Sequence, residues 1–357
     1  MTKSVQLYIG GYKGQNTHCL FAYSYDSQGD VIEEIGSYDI ANASYLCFSP
    51  NRKYLYTVAE ADNYQGQPGG GIAAFAVENN GSLRFINDCS TGGASPCHLS
   101  VSPDGKTLYT ANYSGGSTVF FELLPTGGIG EKKVFVNHHD FGTPSRAHPG
   151  RQENPHAHYI QPLVVDGKLT IWTCDLGLDA VLVLDESGAE LARFNAPAGF
   201  GPRHLAFHPT LPIAYALGEL SCSVITLSFG FDGNATDSTL IIEGSREVRT
   251  LDSDVKSTCA AIRVSHDGKY VLASNRSEGE GSIAVLGLDA SGNITGLEKI
   301  VPSDGSCPRD FSFNLAGNKV LVAHQDSDNV VVFDWADGEL TRSGTTFEVQ
   351  RPTCVLM

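Results

Sequence analysis

No run of apolar residues in this 357-residue chain approaches the roughly 18 that a membrane-crossing helix needs. Residues 1–6 carry nothing like the apolar core of a secretory leader, so the expected location is the cytoplasm. Cysteine pairs at metal or redox spacing are also missing. The nine cysteines stand singly, with no Cys-x-x-Cys among them, which argues against zinc and disulfides and for buried thiols in a reducing compartment. Basic residues are outnumbered 24 to 40, and the net charge of −16 repels nucleic acid and anionic membranes at long range. An anionic ligand would therefore require a local cluster of arginines. Long amphipathic helical patterns are absent, which removes a two-domain α/β reading. Charged residues make up only 18% against 41% hydrophobic, a balance that excludes disorder and allows a large core.

What the chain does contain is turn residues punctuating short apolar runs, including 39 glycines, together with 14 tyrosines and 17 phenylalanines. The clearest unit runs from Ser95 to Glu122: a strand, an Asp104-Gly105 turn, a second strand ending at Tyr113, a glycine turn and a third strand. Equivalent anchors recur at Leu7, Leu55, Leu108, Ile171, Ala214, Val271 and Val320, at intervals of 43 to 63 residues. The segment after Val320 and the segment before Leu7 together make one more such interval, so the last unit is split between the termini. Residues 352–357 would supply its first strand and residues 4–11 its second. The predicted fold is all-β: one domain over 1–357, a seven-bladed β-propeller of four-stranded antiparallel blades, closed by a composite blade that leaves no open sheet edge.

In each blade the start of the first strand should face the end of the second, at the mouth of the central channel. Hairpin arithmetic, in which opposite residues sum to twice the turn centre, pairs Ser44 with Glu60, Cys97 with Tyr113, His156 with Leu176, and Arg203 with Glu219. It also pairs Ala260 with Arg276, Arg309 with Gln325, and Thr353 with Tyr12. His156, Arg203, Glu219, Arg276 and Arg309 then fall on four consecutive blades, while Glu60 stands apart as a structural or solvated carboxylate. Asn112, Asp175, Asn275 and His324 lie one residue before the second-strand positions and are candidates for further polar contacts. His158 reads either as a packed core residue or as a site residue, and the Arg203–Glu219 pair either as a structural ion pair or as part of the site. The long segment from His138 to His158 leads directly into this region.

The stretches Arg151-Gln-Glu-Asn-Pro-His-Ala-His158, Asp175-Leu-Gly-Leu-Asp179, Gly201-Pro-Arg-His-Leu-Ala-Phe-His-Pro209, Gly218-Glu-Leu220, Ser274-Asn-Arg276 and Cys307-Pro-Arg-Asp-Phe311 together resemble the seven-bladed propeller lactonase family. That family includes bacterial 6-phosphogluconolactonases and fungal carboxymuconate cycloisomerases, and the resemblance covers essentially the whole chain. It implies hydrolysis of a sugar lactone, 6-phosphogluconolactone first. It places the catalytic histidine in Pro155-His156-Ala157-His158, taken as His156, the two arginines at Arg203 and Arg276, and the glutamate at Glu219. Ser277-Glu278-Gly279 and Asp310 depart from the family pattern and are expected at the funnel rim.

Lactone hydrolysis needs a base for water, donors for the oxyanion and contacts that hold the ring. His156 or Glu219 would supply the base and Arg203 the oxyanion contact. Arg276 and Arg309 would bind phosphate or carboxylate, with His158, Asp175, Asn275, His324 and Gln325 as further substrate contacts. No cofactor, metal, nucleic acid or membrane partner is expected, and the resemblance does not extend to the calcium ligands of unrelated propeller gluconolactonases. Two other readings remain: a cycloisomerase forming a lactone from an unsaturated acid, and a non-catalytic interaction propeller. Scaffold repeats of the Gly-His and Trp-Asp type are absent, which disfavours the latter.

Overall fold

The structure is a computed structural model describing residues 5–13, 18–26, 31–233, 239–252 and 255–357. Seven antiparallel sheets stand around a central channel. In the blade that carries Arg203 the strands run outward as Pro202–Phe207, Ile213–Gly218, Ser223–Asp232 and Thr239–Gly244. The turns explain why the chain doubles back where it does. In the Ser95 unit, Gly105 adopts φ 74°, a conformation open to glycine at no steric cost, and Asp104 accepts the Lys106 N–H and the Ser102 hydroxyl.

Burial follows position in the blade. Second and third strands lie between the faces of neighbouring sheets and read as unbroken apolar runs, such as Ala180–Leu184, whereas fourth strands such as Ile129–Asn137 are mostly exposed or half-buried. The core is built between blades: Trp172, Val181 and Val183 of one sheet pack on Leu205, Ala214, Ile225 and Leu227 of the next. Tyrosines on the second strands add a polar tie across three such seams. Tyr8, Tyr56 and Tyr215 donate to the carbonyls of Gly81, Gly127 and Gly292 at 2.8, 3.0 and 2.7 Å.

The ring closes as the repeat spacing predicts. Pro352–Leu356 is the innermost strand of a blade whose other three are Val5–Gly11, Leu20–Asp26 and Val31–Tyr38. Ser4 falls outside the described residues.

Register inside the blades departs from simple hairpin arithmetic. The first strand slips against the second between Pro96 and His98, Ala157 and Tyr159, Pro202 and His204, Cys259 and Ile262, and Pro308 and Asp310. Each slip is a β-bulge that inserts a residue without a ladder partner and re-aims its side chain. Cys97, His158, Arg203 and Arg309 are such inserted residues.

Candidate active site

Because of the bulges, Arg203 is not directly opposite Glu219. The Glu219 N–H donates to the carbonyl of Gly201 at 2.8 Å, that of Arg276 to Thr258 at 2.8 Å, and that of Gln325 to Cys307 at 3.0 Å. In the remaining blade of this arc Leu176 N–H donates to the carbonyl of His156. His156 therefore sits at the level of Gly201, Thr258 and Cys307, and the residue equivalent to Arg203 and Arg309 is His158. This corrects the placement drawn from the sequence: the imidazole facing the channel is His158, which lines a cavity with Ser44, Glu60, Cys97, Arg203, Arg309 and Thr353. His156 is turned aside. Its ring stacks on Tyr113 at 4.4 Å, its Nδ1 lies 3.1 Å from the Tyr113 carbonyl, and its Nε2 lies 3.2 Å from Glu153.

Glu219 is the electrostatic centre. Its Oε1 is 3.1 Å from Arg276 Nη2 and also meets Arg151 Nη2, while its Oε2 is 2.9 Å from Arg203 Nε. Burial alone would raise the Glu219 pKa, but Arg276, Arg203 and Arg151 outweigh it and hold the carboxyl well below the usual carboxylate range. Arg203 is pushed down to about 10 by burial, with Arg276 and Arg309 adding to it. Its Nη1 donates to the Ala260 carbonyl, and Arg276 Nη2 donates to that of Cys259 at 2.8 Å. The Nε atoms of both arginines are buried with no aligned hydrogen bond among the described residues. The Arg203–Glu219 contact is thus ionic in distance but leaves the N–H poorly directed. Two buried N–H groups beside Glu219 are therefore left without a well-aligned acceptor.

Glu60 lines the same cavity, contrary to the expectation that it stands apart. It accepts from Tyr12 at 2.9 and 3.0 Å and from the Ser44 hydroxyl, and Arg309 Nη2 donates to Tyr12 Oη at 2.7 Å. Below lies a plug of buried rings: His98 is 4.1 Å from Tyr45, 4.4 Å from Tyr159 and 5.3 Å from His204. Burial first, then neighbouring arginines, lower the pKa of His98, His158 and His204 far enough to keep all three neutral at pH 7. Asp310 is part of this plug and not of the rim. It follows the bulged Arg309, so it rejoins the ladder facing inward, 2.7 Å from Arg263 Nη2 and accepting from Val355 N–H at 3.0 Å. The channel beyond opens into a separate cavity of about 550 Å3 that Asp310 also lines. Glu278 is on the surface, paired with Lys256.

The residues one position before the second-strand ends do not reach the cavity. A strand alternates faces, so the neighbour of a channel-facing residue points back into the blade. Asp175 accepts from His156 N–H at 2.8 Å and Leu178 N–H at 2.9 Å and lies 2.7 Å from His138 Nδ1. Asn275 is bound to Thr250 and Ser282, and His324, brought down to about 4 by burial, packs against Gly305. Gln325 holds the ring position but donates to Asp326.

These groups work as scaffold. Asp179 accepts from Gln152, Gly199 and Gly201, fixing both the segment that carries Arg151 and the turn before Arg203. A side chain at Gly177 would collide with the Asn154 carbonyl, with its Cβ 1.8 Å away, so only glycine lets that segment lie so close. Sequence reasoning quoted Arg151 and Tyr113 without assigning them to the site. The length of the segment from His138 to His158 was the available signal.

A propeller whose channel mouth concentrates arginines around an ionised glutamate defines the class of protein. The chain belongs to the lactonase family of seven-bladed β-propellers, whose model matches residues 6–357. It is 30% identical to a 6-phosphogluconolactonase of Bacillus subtilis (strain 168), with 99% of this chain and 98% of that protein covered. It is 31% identical to a 6-phosphogluconolactonase of Formosa agariphila, with 92% and 91% covered. Among solved structures, the periplasmic gluconolactonase PpgL of Pseudomonas aeruginosa superposes with a TM-score of 0.84 at 26% identity, covering 98% of both chains. No helix among the described residues is long and apolar enough to cross a membrane, and none of their His, Cys, Asp and Glu side chains group as a metal site.

Proposed function

We propose that the protein hydrolyses a phosphorylated sugar lactone, 6-phosphogluconolactone to 6-phosphogluconate, at the Arg203–Glu219–Arg276 cluster. The observation that carries this is the pair of buried Nε–H donors on Arg203 and Arg276, held by one ionised glutamate and left without aligned acceptors. The names borne by the relatives in Bacillus subtilis and Formosa agariphila support the choice of substrate.

In this reading the lactone carbonyl oxygen approaches those donors, which strengthen their contact as negative charge develops. His158 takes the proton of the attacking water. Its ring is neutral at pH 7 and its Nδ1 has no partner among the described residues, whereas both nitrogens of His156 already face acceptors. The tetrahedral intermediate collapses with cleavage of the ring C–O bond, and the imidazolium returns the proton to the departing alkoxide. Glu219 has both oxygens engaged by Arg151, Arg203 and Arg276 and serves to fix the guanidinium groups. Arg309 holds the anionic end of the substrate.

The test is a coupled assay in which freshly made 6-phosphogluconolactone is supplied with excess 6-phosphogluconate dehydrogenase. Turnover well above spontaneous ring opening at neutral pH is expected. No enhancement with folded protein refutes the substrate, and product analysis with an unsaturated diacid then tests the cycloisomerase reading.

A further inference from the structure

Most guanidinium groups around the channel are matched to a carboxylate: Arg151, Arg203 and Arg276 to Glu219, and Arg263 to Asp310. Two are not. Arg309 and Arg351 have no ion-pair partner among the described residues, yet both stand on one aromatic ring. Their Cζ atoms lie 5.0 and 5.7 Å from the centroid of Tyr12. Glu60, which lines the same cavity as Arg309, spends its oxygens on neutral donors, Tyr12 and Ser44, instead of on Arg309. Arg351 donates its backbone N–H to Asp328 Oδ1 at 2.8 Å, but its guanidinium makes only a 3.4 Å contact from Nη1 to the Lys13 carbonyl, and the exposed Lys13 adds a third cation to the neighbourhood. In a chain with a net charge of −16, unmatched cations gathered at one point of a channel mouth call for an external anion.

The geometry points to a subsite for the distal phosphate of the substrate, made by Arg309, Arg351 and the Tyr12 ring, with Arg351 as a specificity-determining residue. It rests on the lactonase reading above, since Arg309 lines the same cavity as Arg203 and His158. Tyr12 has two jobs there. Its ring carries both guanidiniums by cation–π contact, and its hydroxyl, donating to Glu60 while accepting from Arg309, fixes the Arg309 fork. A phosphate dianion offers enough oxygens for two forks at once. Arg351 leads directly into the innermost strand of the composite blade, Pro352–Leu356. The subsite is therefore assembled from the chain terminus and from Tyr12 near its start, so it exists only in the closed ring.

The experiment compares Arg351→Ala and Arg351→Lys with the parent on 6-phosphoglucono-δ-lactone and on unphosphorylated glucono-δ-lactone. A hydrogen bond to a charged group sets the scale, so Arg351→Ala should raise KM for the phosphorylated lactone about tenfold or more, with kcat within about twofold. The rise on the unphosphorylated lactone should be several times smaller, and the lysine variant should fall between parent and alanine. An equal rise on both lactones, or no rise on either, overturns the subsite. Calorimetric titration with 6-phosphogluconate and with gluconate keeps the two readings apart. If neither lactone is turned over, the hydrolytic reading fails, and the subsite still stands only if 6-phosphogluconate binds the parent more tightly than gluconate does and Arg351→Ala removes that difference. Absence of that difference in the parent overturns it.

Discussion

Arg203→Ala separates the chemical role of this residue from its structural one, because the structure assigns magnitudes to both. The side chain is 3% exposed, contacts Glu219 at 2.9 Å and donates to the Ala260 carbonyl. Removing one partner of a buried ion pair costs roughly 3–5 kcal/mol. Glu219 keeps Arg151 and Arg276, which places this loss at the lower end, about 3 kcal/mol. With an unfolding entropy of about 2.1 cal/mol/K per residue over 357 residues, that loss lowers Tm by about 4 °C. The catalytic loss is similar in free energy but is read as rate: removal of an oxyanion donor lowers kcat by about 10²- to 10³-fold, about 2.7–4 kcal/mol. Arg203→Lys restores the charge beside Glu219 and should recover part of the Tm, but it lacks the planar fork, so kcat stays low. Differential scanning fluorimetry gives the first quantity, and the coupled dehydrogenase assay, corrected for spontaneous hydrolysis, gives the second. If folded Arg203→Ala retains kcat within about threefold of the parent, far from the loss expected of an oxyanion donor, the residue is only an ion-pair partner and the oxyanion assignment is wrong.

His158→Gln should lower kcat by about 10²-fold or more, while His156→Gln, which disturbs the stack on Tyr113 and the contacts to its carbonyl and to Glu153, should cost at most about tenfold; a reversed order in the coupled assay would return the base role to His156. His98, His158 and His204 stay neutral when folded but take up protons near pH 6.5 when unfolded, so stability is full above that value and falls as the pH drops below it. Each contributes about 1.4 kcal/mol per pH unit, so urea midpoints measured between pH 7 and 5 should fall steeply, and His98→Gln should flatten the slope. Truncation after Arg351 removes the buried Cys354, Val355 and Met357 and leaves Val5–Gly11 as an unpaired sheet edge; burial of a Val or Met side chain is worth about 1.5–3 kcal/mol, so the shortened chain should fail to melt cooperatively in calorimetry.

The ring was legible because it rests on periodicity. Intervals of 43 to 63 residues and a remainder that joins the termini leave few alternatives, and Pro352–Leu356 pairs with Val5–Gly11 as that remainder requires. The site was legible only to within a residue or two. Its first strands break the assumption of continuous pairing at the point where side chains turn to the channel. Nothing in Pro202-Arg203-His204 or Pro308-Arg309-Asp310 announces a bulge by composition, although a proline precedes the inserted residue in three blades, at Pro96, Pro202 and Pro308. Proline lacks the N–H that a regular ladder would use, so its recurrence at the same place in successive repeats is the physical sign that pairing is about to slip. In the blade that carries His158 the proline falls two residues earlier relative to the inserted residue, at Pro155, and the slip comes between Ala157 and Tyr159. The pairing of His156 with Leu176 read from the sequence holds, and it is His158, two residues on, that turns to the channel. The same slip explains why an aspartate one residue past Arg309 faces Arg263 deep in the channel and not the mouth. The bulge is therefore the device that separates the two layers of this funnel. It lifts Cys97, His158, Arg203 and Arg309 to the cavity at the channel mouth, and it returns His98, Tyr159, His204 and Asp310 to the buried plug that closes the cavity from below.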